Sequence, residues 1–223
     1  MITWEGKVLN NYIRAGLFEP YARDIVNSIR EYIEGMDVID AGCGPGNISG
    51  VLADYAKSVV GIDAQENAIE FAKKFYVDKG NLSFQVGDFL SLEANSCDVL
   101  CGISIGKIDE NNLKLLKVPR KKLIFVNTLC NQYFPSKKLN DFDERILLNS
   151  KLVYKTFPIS TSFGQPFLSF EEAVDFISDH RLSDDPKKFA LEKVREIQGE
   201  FPFYLENKRE VQVTIIESEK YNG

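Results

Sequence analysis

The sequence is poor in the residues that build metal and disulfide frameworks. It has one histidine and four cysteines in 223 residues. Cys97 and Cys101 have no matching second pair, so no spaced set of Cys and His ligands can close around zinc, and no metal is expected. Cys43, Cys97, Cys101 and Cys130 read instead as free, largely buried thiols of a reducing compartment. Positive charge is short as well. Lys and Arg number 27 against 33 Asp and Glu, for a net charge of -6 and a pI near 5.0. Broad binding to nucleic acid needs a basic face, which this balance argues against while leaving a local patch open. No run approaches the ~18 apolar residues of a membrane span. The stretch from Met1 to Lys7 has no apolar signal core. A soluble, cytoplasmic protein is expected. Its 44% hydrophobic and 27% charged residues are ordinary for a globular chain. Its length allows one full core with a cap.

What the chain does have is a glycine-punctuated stretch running from Met36 through Asp40, Gly42, Gly44 and Gly46 to Ser49. Apolar, β-prone residues give way to three glycines at alternate positions. A helical stripe of Ile48, Val51, Leu52 and Tyr55 follows. This predicts a buried strand, a tight turn and a helix start. Glycine serves where φ is positive or a ligand must approach closely, and the unpaired N–H groups of a helix start favour an anionic group. The dinucleotide pattern G-x-G-x-x-G fails here, because Asn47 stands at its third glycine. That argues against an NAD-linked oxidoreductase. Asp40, at the strand end, would repel a phosphate and attract a cation.

A second strand, Ser58 to Asp63, ends in an acid about 20 residues after the loop, where nucleotide sites place a ribose-binding carboxylate. The same Asp63 also suits an N-cap for the helix predicted over Gln65–Lys74. A third strand, Leu82 to Val86, is followed by Gly87-Asp88-Phe89. A fourth runs Cys97 to Ile103 and a fifth Lys122 to Asn127, with a helix between them over Asp109–Lys117.

The pattern Asp40-x-Gly42-x-Gly44-x-Gly46, with acids after two further strands, resembles the class I S-adenosylmethionine-dependent methyltransferases over about residues 18–160 plus the last strand. That cofactor carries an ammonium, a sulfonium and a carboxylate but no phosphate, which suits a loop of mixed charge. The resemblance implies a single α/β domain spanning residues 1–223, with a doubly wound, seven-stranded, mostly parallel sheet. It implies a cofactor held by Asp40, Gly42, Cys43, Gly44, Gly46 and Asn47, by Asp63 and Ala64 at the ribose, and by Asp88 and Phe89 at the adenine. Gly102 and Ile103 complete the set at the fourth strand end, where Ser104 to Lys107 would face the methyl-transfer site. The Asn/Asp-Pro-Pro-aromatic motif of amino-methyltransferases for DNA and RNA is missing, since the chain reads Gly102-Ile103-Ser104-Ile105. A small-molecule acceptor is therefore expected over nucleic acid. A non-catalytic partner or scaffold protein of the same fold stays open, and the catalytic residues are not identified.

Residues 4–34 read as two helices broken near Gly16, and the N-terminal segment 1–34 as either a lid over the cofactor or a cover of one sheet edge. Trp4, Tyr12 and Arg14 are candidate parts of such a lid. After Thr128 the resemblance weakens. Asn140–Asn149 looks helical, Leu152–Ser160 alternates as a strand and Glu210–Glu217 is a final strand. Roughly 50 residues separate these last two strands, far above the usual loop length. This insert, residues 161–209, carries one helix starting at Ser169 with Glu172 completing a capping box. Another follows Pro186 and runs through Val194 to Ile197. It reads as an acceptor-binding cap or as a packing or homodimer surface. His180, at the end of the first insert helix, fits a structural or surface role. Tyr12, Ser104, Tyr133 and Tyr154 are candidate acceptor contacts.

Overall fold

The computed structural model describes residues 4–106, 113–133 and 152–218. Two N-terminal helices, α1 (Gly6–Phe18) and α2 (Tyr21–Ile33), precede the first strand, β1 (Asp37–Ala41). Then α3 (Asn47–Leu52), β2 (Ser58–Asp63), α4 (Glu66–Phe75), β3 (Leu82–Val86), β4 (Cys97–Ile103) and β5 (Pro119–Asn131) alternate. The chain closes with β6 (Tyr154–Ser162), the insert, and β10 (Lys208–Glu217). The main sheet has the order β3-β2-β1-β4-β5-β10-β6. Its first five strands run parallel, and β10 lies antiparallel between β5 and β6. Strand order reverses between β1 and β4. In open α/β sheets the crevice at that switch, beyond the strands' carboxyl ends, is where ligands bind.

Apolar runs without alternation make the central strands, because both their faces are covered. On one face Ile25, Ile29 and Ile33 of α2 pack on Val38, Val99 and Val126. On the other, Ile39, Leu100, Leu123 and Phe125 pack with Leu115 and Leu116. Those two leucines lie in a short 3-10 helix, Leu113–Lys117. The helix expected over Asp109–Lys117 is thus a tighter turn in its described part, and residues 109–112 lie outside the described residues. So do Lys107 and Asn140–Asn149. Among the described residues, no helix is long and apolar enough to cross a membrane.

Gly16 does not break the N-terminal helices. It lies inside α1, and the break falls at Glu19 and Pro20. Its role is close approach: a Cβ on Gly16 would sit 1.7 Å from Asn47 Nδ2. Alanine is intrinsically the better helix residue by roughly 0.5–1 kcal/mol. Overpacking a tight contact costs about 1–3 kcal/mol, so the clash wins. Gly16→Ala is expected to lower thermal stability and to speed amide exchange in α1. A stabilised variant with unchanged exchange would contradict this packing role.

The insert holds β7 (Gln165–Phe167), α5 (Phe170–Asp179), α6 (Pro186–Lys193), β8 (Val194–Glu196) and β9 (Phe203–Leu205). Ser169 Oγ accepts from Glu172 N–H as expected of the cap, but Glu172 Oε2 reaches back one residue further, to Leu168 N–H. The second helix stops at Lys193, short of Ile197. Val194–Glu196 instead pairs with β9, in a three-stranded sheet of order β7-β9-β8 that the sequence pattern did not reveal. Phe167, Ala173, Ile177, Ala190 and Leu205 give the insert its own small core.

Candidate functional site

Three positions of the loop between β1 and α3 suit only glycine. Gly42, Gly44 and Gly46 have φ of 69°, 51° and 88°, in the left-handed region that side chains disfavour. Space is short as well. A Cβ on Gly42 would meet Ile105 at 2.5 Å, and one on Gly46 would meet Phe84 at 2.8 Å. The six-residue α3 that follows offers a short helix start, and Gly44 N–H is already engaged, donating to Asp63 Oδ2 at 2.9 Å.

The two strand-end acids are both buried. Asp63 Oδ1 also accepts from Gln65 N–H at 2.9 Å, so this one carboxylate ties the glycine loop to the start of α4. Asp40 is 2% exposed and accepts from Ser49 Oγ–H at 2.5 Å. Burial, with a smaller push from the neighbouring Asp63, raises its carboxyl to about 7, against the pull of the Ser49 bond. Among the described residues Asp40 has this one hydrogen bond and no ion pair, and such a buried carboxyl suits a ligand that brings positive charge. Asp88 is exposed and caps the turn Phe89–Ser91, accepting from Leu90 N–H at 2.8 Å. Phe89 is half-buried beside Gly42 and Ile105, and Ala64 is exposed next to Asp63.

A cavity of about 350 Å³ opens from this loop. Asp40, Gly42, Cys43 and Gly44 line one end, with Ile103 and Ser104 from the end of β4. Ser104 holds φ of 59°, unusual for a residue with a side chain. The N-terminal segment closes one side through Trp4, just ahead of α1, and Tyr12 within it. A Cβ on Gly44 would lie 3.0 Å from Trp4 Cζ2. Trp4 is fastened by its own backbone, donating to Gln65 Oε1 and accepting from the Asn67 amide. The rings of Trp4, Tyr12, Phe163 and Tyr21 touch in sequence, with centroids 4.6, 5.4 and 5.1 Å apart. The insert closes the far side with Gln165, His180 and Asn207, and Arg209 of β10 stands at the end of the ring series. His180 Nδ1 lies 2.8 Å from Phe176 O, and its ring stacks on Phe176.

The structure therefore brings most of the expected residues together and separates others. Tyr12, Ser104 and Tyr133 line the cavity with Asp40, Gly42, Cys43, Gly44 and Ile103. Asp63, Ala64, Asp88 and Phe89 gather at the ends of β2 and β3, next to that cavity but not in its wall. Gly102 packs under Ile105, where a Cβ would meet Ile105 Cδ1 at 2.6 Å. Asn47 turns away from the cavity, and its Nδ2 donates to Tyr12 O at 3.5 Å, which holds α1 down. Tyr154 does not reach the site. It starts β6 opposite Ile216, whereas the cavity end of that strand is Thr161, opposite Arg209. Seven residues of strand put it about 20 Å away, against the second core layer. Among the described residues no group of three His, Cys, Asp or Glu is placed to hold a metal ion.

Arg209, Asn207, Gln165 and Phe163 were not foreseen. Arg209 had a signal: it keeps the period-two phase of Val211, Val213 and Ile215, a buried strand face on which a guanidinium is out of place.

A parallel sheet reversing between β1 and β4, a positive-φ glycine loop at that switch and acids at successive strand ends together define the class I S-adenosylmethionine-dependent methyltransferase fold. The chain belongs to the methyltransferase domain family, whose profile matches residues 33–155, more than half of its length. S-adenosylmethionine is its cofactor. A ubiquinone biosynthesis O-methyltransferase from Pelagibacter ubique is 26% identical over 182 residues, 77% of this chain and 70% of that protein. Among solved structures, the YcgJ protein of Bacillus subtilis superposes with a TM-score of 0.55 at 16% identity, covering 87% of this chain and 98% of that one. Magnesium protoporphyrin IX methyltransferase from Synechocystis, solved with bound S-adenosylhomocysteine, superposes at 0.52 with 14% identity, covering 96% and 90%. These two likenesses are of fold.

Proposed function

We propose that the protein methylates a small molecule enclosed in the cavity at the glycine loop. The observation that carries this reading is the enclosure itself. About 350 Å³ lies between the cofactor loop, α1 and the insert, at the small end of the ~300–1,000 Å³ typical of small-molecule pockets. Its walls are aromatic rather than basic, which suits a compact organic acceptor and not a nucleic-acid strand. The Pelagibacter relative, named for O-methylation in ubiquinone biosynthesis, supports a small acceptor in the same direction.

In this reading Asp40, Gly42, Cys43 and Gly44 hold the amino-acid end of the cofactor. Asp63 and Ala64 hold the ribose, while Asp88 and Phe89 hold the adenine. Gly102, Ile103 and Ser104 border the methyl-transfer point, and Tyr12 contacts the acceptor. Gly46 and Asn47 act one step back, through the loop's shape and the seating of α1. The bound cofactor supplies a methyl group on a sulfonium, already activated for displacement. The chain's own work is to orient the acceptor and keep water out. Residues 1–34 act as the lid and residues 161–209 as the cap of a single domain. The two are joined by Arg14, whose Nη1 lies 2.7 Å from Glu172 Oε1 of α5. Incubation with methyl-tritiated S-adenosylmethionine and a cell extract should place label in the small-molecule fraction. Label confined to protein or RNA would overturn the assignment.

The cap can be tested separately. Ser162 and Lys208 are paired neighbours, so a two-residue hairpin turn can replace residues 163–207. Cofactor contacts lie in the first half of the chain. S-adenosylhomocysteine affinity should therefore stay within a few fold while transfer to the small-molecule fraction is abolished. Circular dichroism must first show a folded variant, since the deletion uncovers apolar surface. Full transfer by a folded deletion would make the insert a packing element instead.

A further inference from the structure

We infer that the acceptor is an acid: a small aromatic carboxylate carrying an O–H or N–H donor, held at its acid end by Arg209. This rests on the small-molecule methyltransferase reading above and deepens it. Arg209 lines the cavity at the end away from the glycine loop. It is half-buried, with its Nε withdrawn from water, and that burial disfavours its charge. Among the described residues no carboxylate pairs with it. Arg209 also lines the adjoining outer groove, whose acids are Asp24, Glu206 and Glu210. Asp24 accepts from Thr161, and Glu206 pairs with Arg195 and Lys208. None of the three reaches Arg209. What surrounds the guanidinium is aromatic: its Cζ lies 4.7 Å from the Phe163 ring centre and 5.6 Å from that of Tyr21. It hydrogen-bonds the Tyr21 hydroxyl and lies near that of Tyr12, but neutral hydroxyls do not balance a charge, and among the described residues its Nε–H has no hydrogen-bond partner. A buried cation is ordinarily paired. Here the missing anion has a place, the cavity that Arg209 borders.

A second, independent group points the same way. Asn207 is 9% exposed and lines the same cavity, and among the described residues its Oδ1 has no donor. It calls for a ligand that brings an N–H or O–H. Between these two polar groups and the glycine loop run the rings of Phe163, Tyr12 and Trp4, a wall for a flat apolar body. A carboxylate fixed at Arg209 leaves the other end of such a molecule directed to the loop and Ser104, where its own O–H or N–H takes the methyl group and gives up the proton. Bidentate geometry makes arginine the natural partner of a carboxylate.

The test is calorimetry on the full-length protein saturated with S-adenosylhomocysteine. Salicylate, anthranilate and 4-hydroxycinnamate are each titrated beside their methyl esters. At least one acid should bind ten times or more tighter than its ester. Arg209→Gln should erase that preference, Arg209→Lys should keep part of it, and both should hold S-adenosylhomocysteine within a few fold. Equal binding of acids and esters, or no binding of any acid, overturns the inference, as does a preference that survives Arg209→Gln in a folded variant. A tenfold loss of S-adenosylhomocysteine affinity in Arg209→Gln, with 5′-methylthioadenosine unaffected, would assign the guanidinium to the cofactor's own carboxylate and also overturn it. If the wild-type protein binds no S-adenosylhomocysteine at all, the methyltransferase reading beneath the inference fails instead.

Discussion

Asp63→Ala should weaken S-adenosylhomocysteine binding by about tenfold or more, since 1.4 kcal/mol is a factor of ten, and should also destabilise the empty protein. The carboxylate has two duties in this reading. Toward the cofactor it accepts the ribose hydroxyls. Toward the chain it accepts from Gly44 N–H and Gln65 N–H, each at 2.9 Å, from a position only 9% exposed. A charge-assisted bond is worth about 1.5–3 kcal/mol, and an unpaired buried donor costs about 1–3 kcal/mol. Loss of both anchors should therefore cost roughly 2–4 kcal/mol of stability. The two backbone bonds give Asp63 a part in the fold beyond the ribose contact. Denaturant unfolding and calorimetry measure the two effects. A folded variant with unaltered affinity and stability would move the ribose site elsewhere and deny Asp63 its structural part.

The second large effect is a pH dependence set by Asp40. Its folded pKa of about 7 lies above the ordinary carboxylate value near 3.8. The protonated form is thus the one the empty fold prefers. The stabilisation is fully present below about pH 4 and is lost as pH rises through 7, at up to about 1.4 kcal/mol per pH unit. Above pH 7 the loss levels off at roughly 4 kcal/mol. Asp40→Asn should flatten that slope and leave the empty protein more stable than wild type at pH 8. Binding should show the opposite trend. A ligand carrying an ammonium favours the ionised carboxylate, so cofactor affinity should rise about tenfold from pH 6 to pH 8 and lose both strength and slope in Asp40→Asn. Parallel unfolding curves for the two proteins across this range would show that Asp40 does not titrate there.

The parallel half of the fold was legible because its signals are local. Apolar runs for strands covered on both faces, three glycines at a turn and an acid at the end of each of the first three strands are each read within a few residues. The roles of Gly16 and Asn47 were not legible. Their contact joins residues 31 positions apart, and a helical glycine reads locally as a breaker when its reason is a neighbour's amide. The small sheet of the insert was missed for a related cause. Val194–Glu196 continues a helical-looking pattern, and only pairing with Phe203–Leu205 makes it a strand. Tyr154 was placed in the site for its chemistry, yet strand length carries it to the far end of β6, away from the cavity. Arg209 was overlooked although its phase with Val211 and Val213 marks it as facing inward, because a charged residue at a strand's start reads by default as solvated.

The most direct test of a cofactor site at the glycine loop is a calorimetric titration with S-adenosylhomocysteine and, in parallel, with NADH. The chain has one tryptophan, Trp4, and it rests on Gly44, so its emission reports occupancy at that loop in the same sample. S-adenosylhomocysteine should bind with one site per chain and shift Trp4 emission along the same saturation curve, while NADH gives no heat of binding. Saturable binding of NADH, with neither heat nor an emission change from S-adenosylhomocysteine, would contradict it.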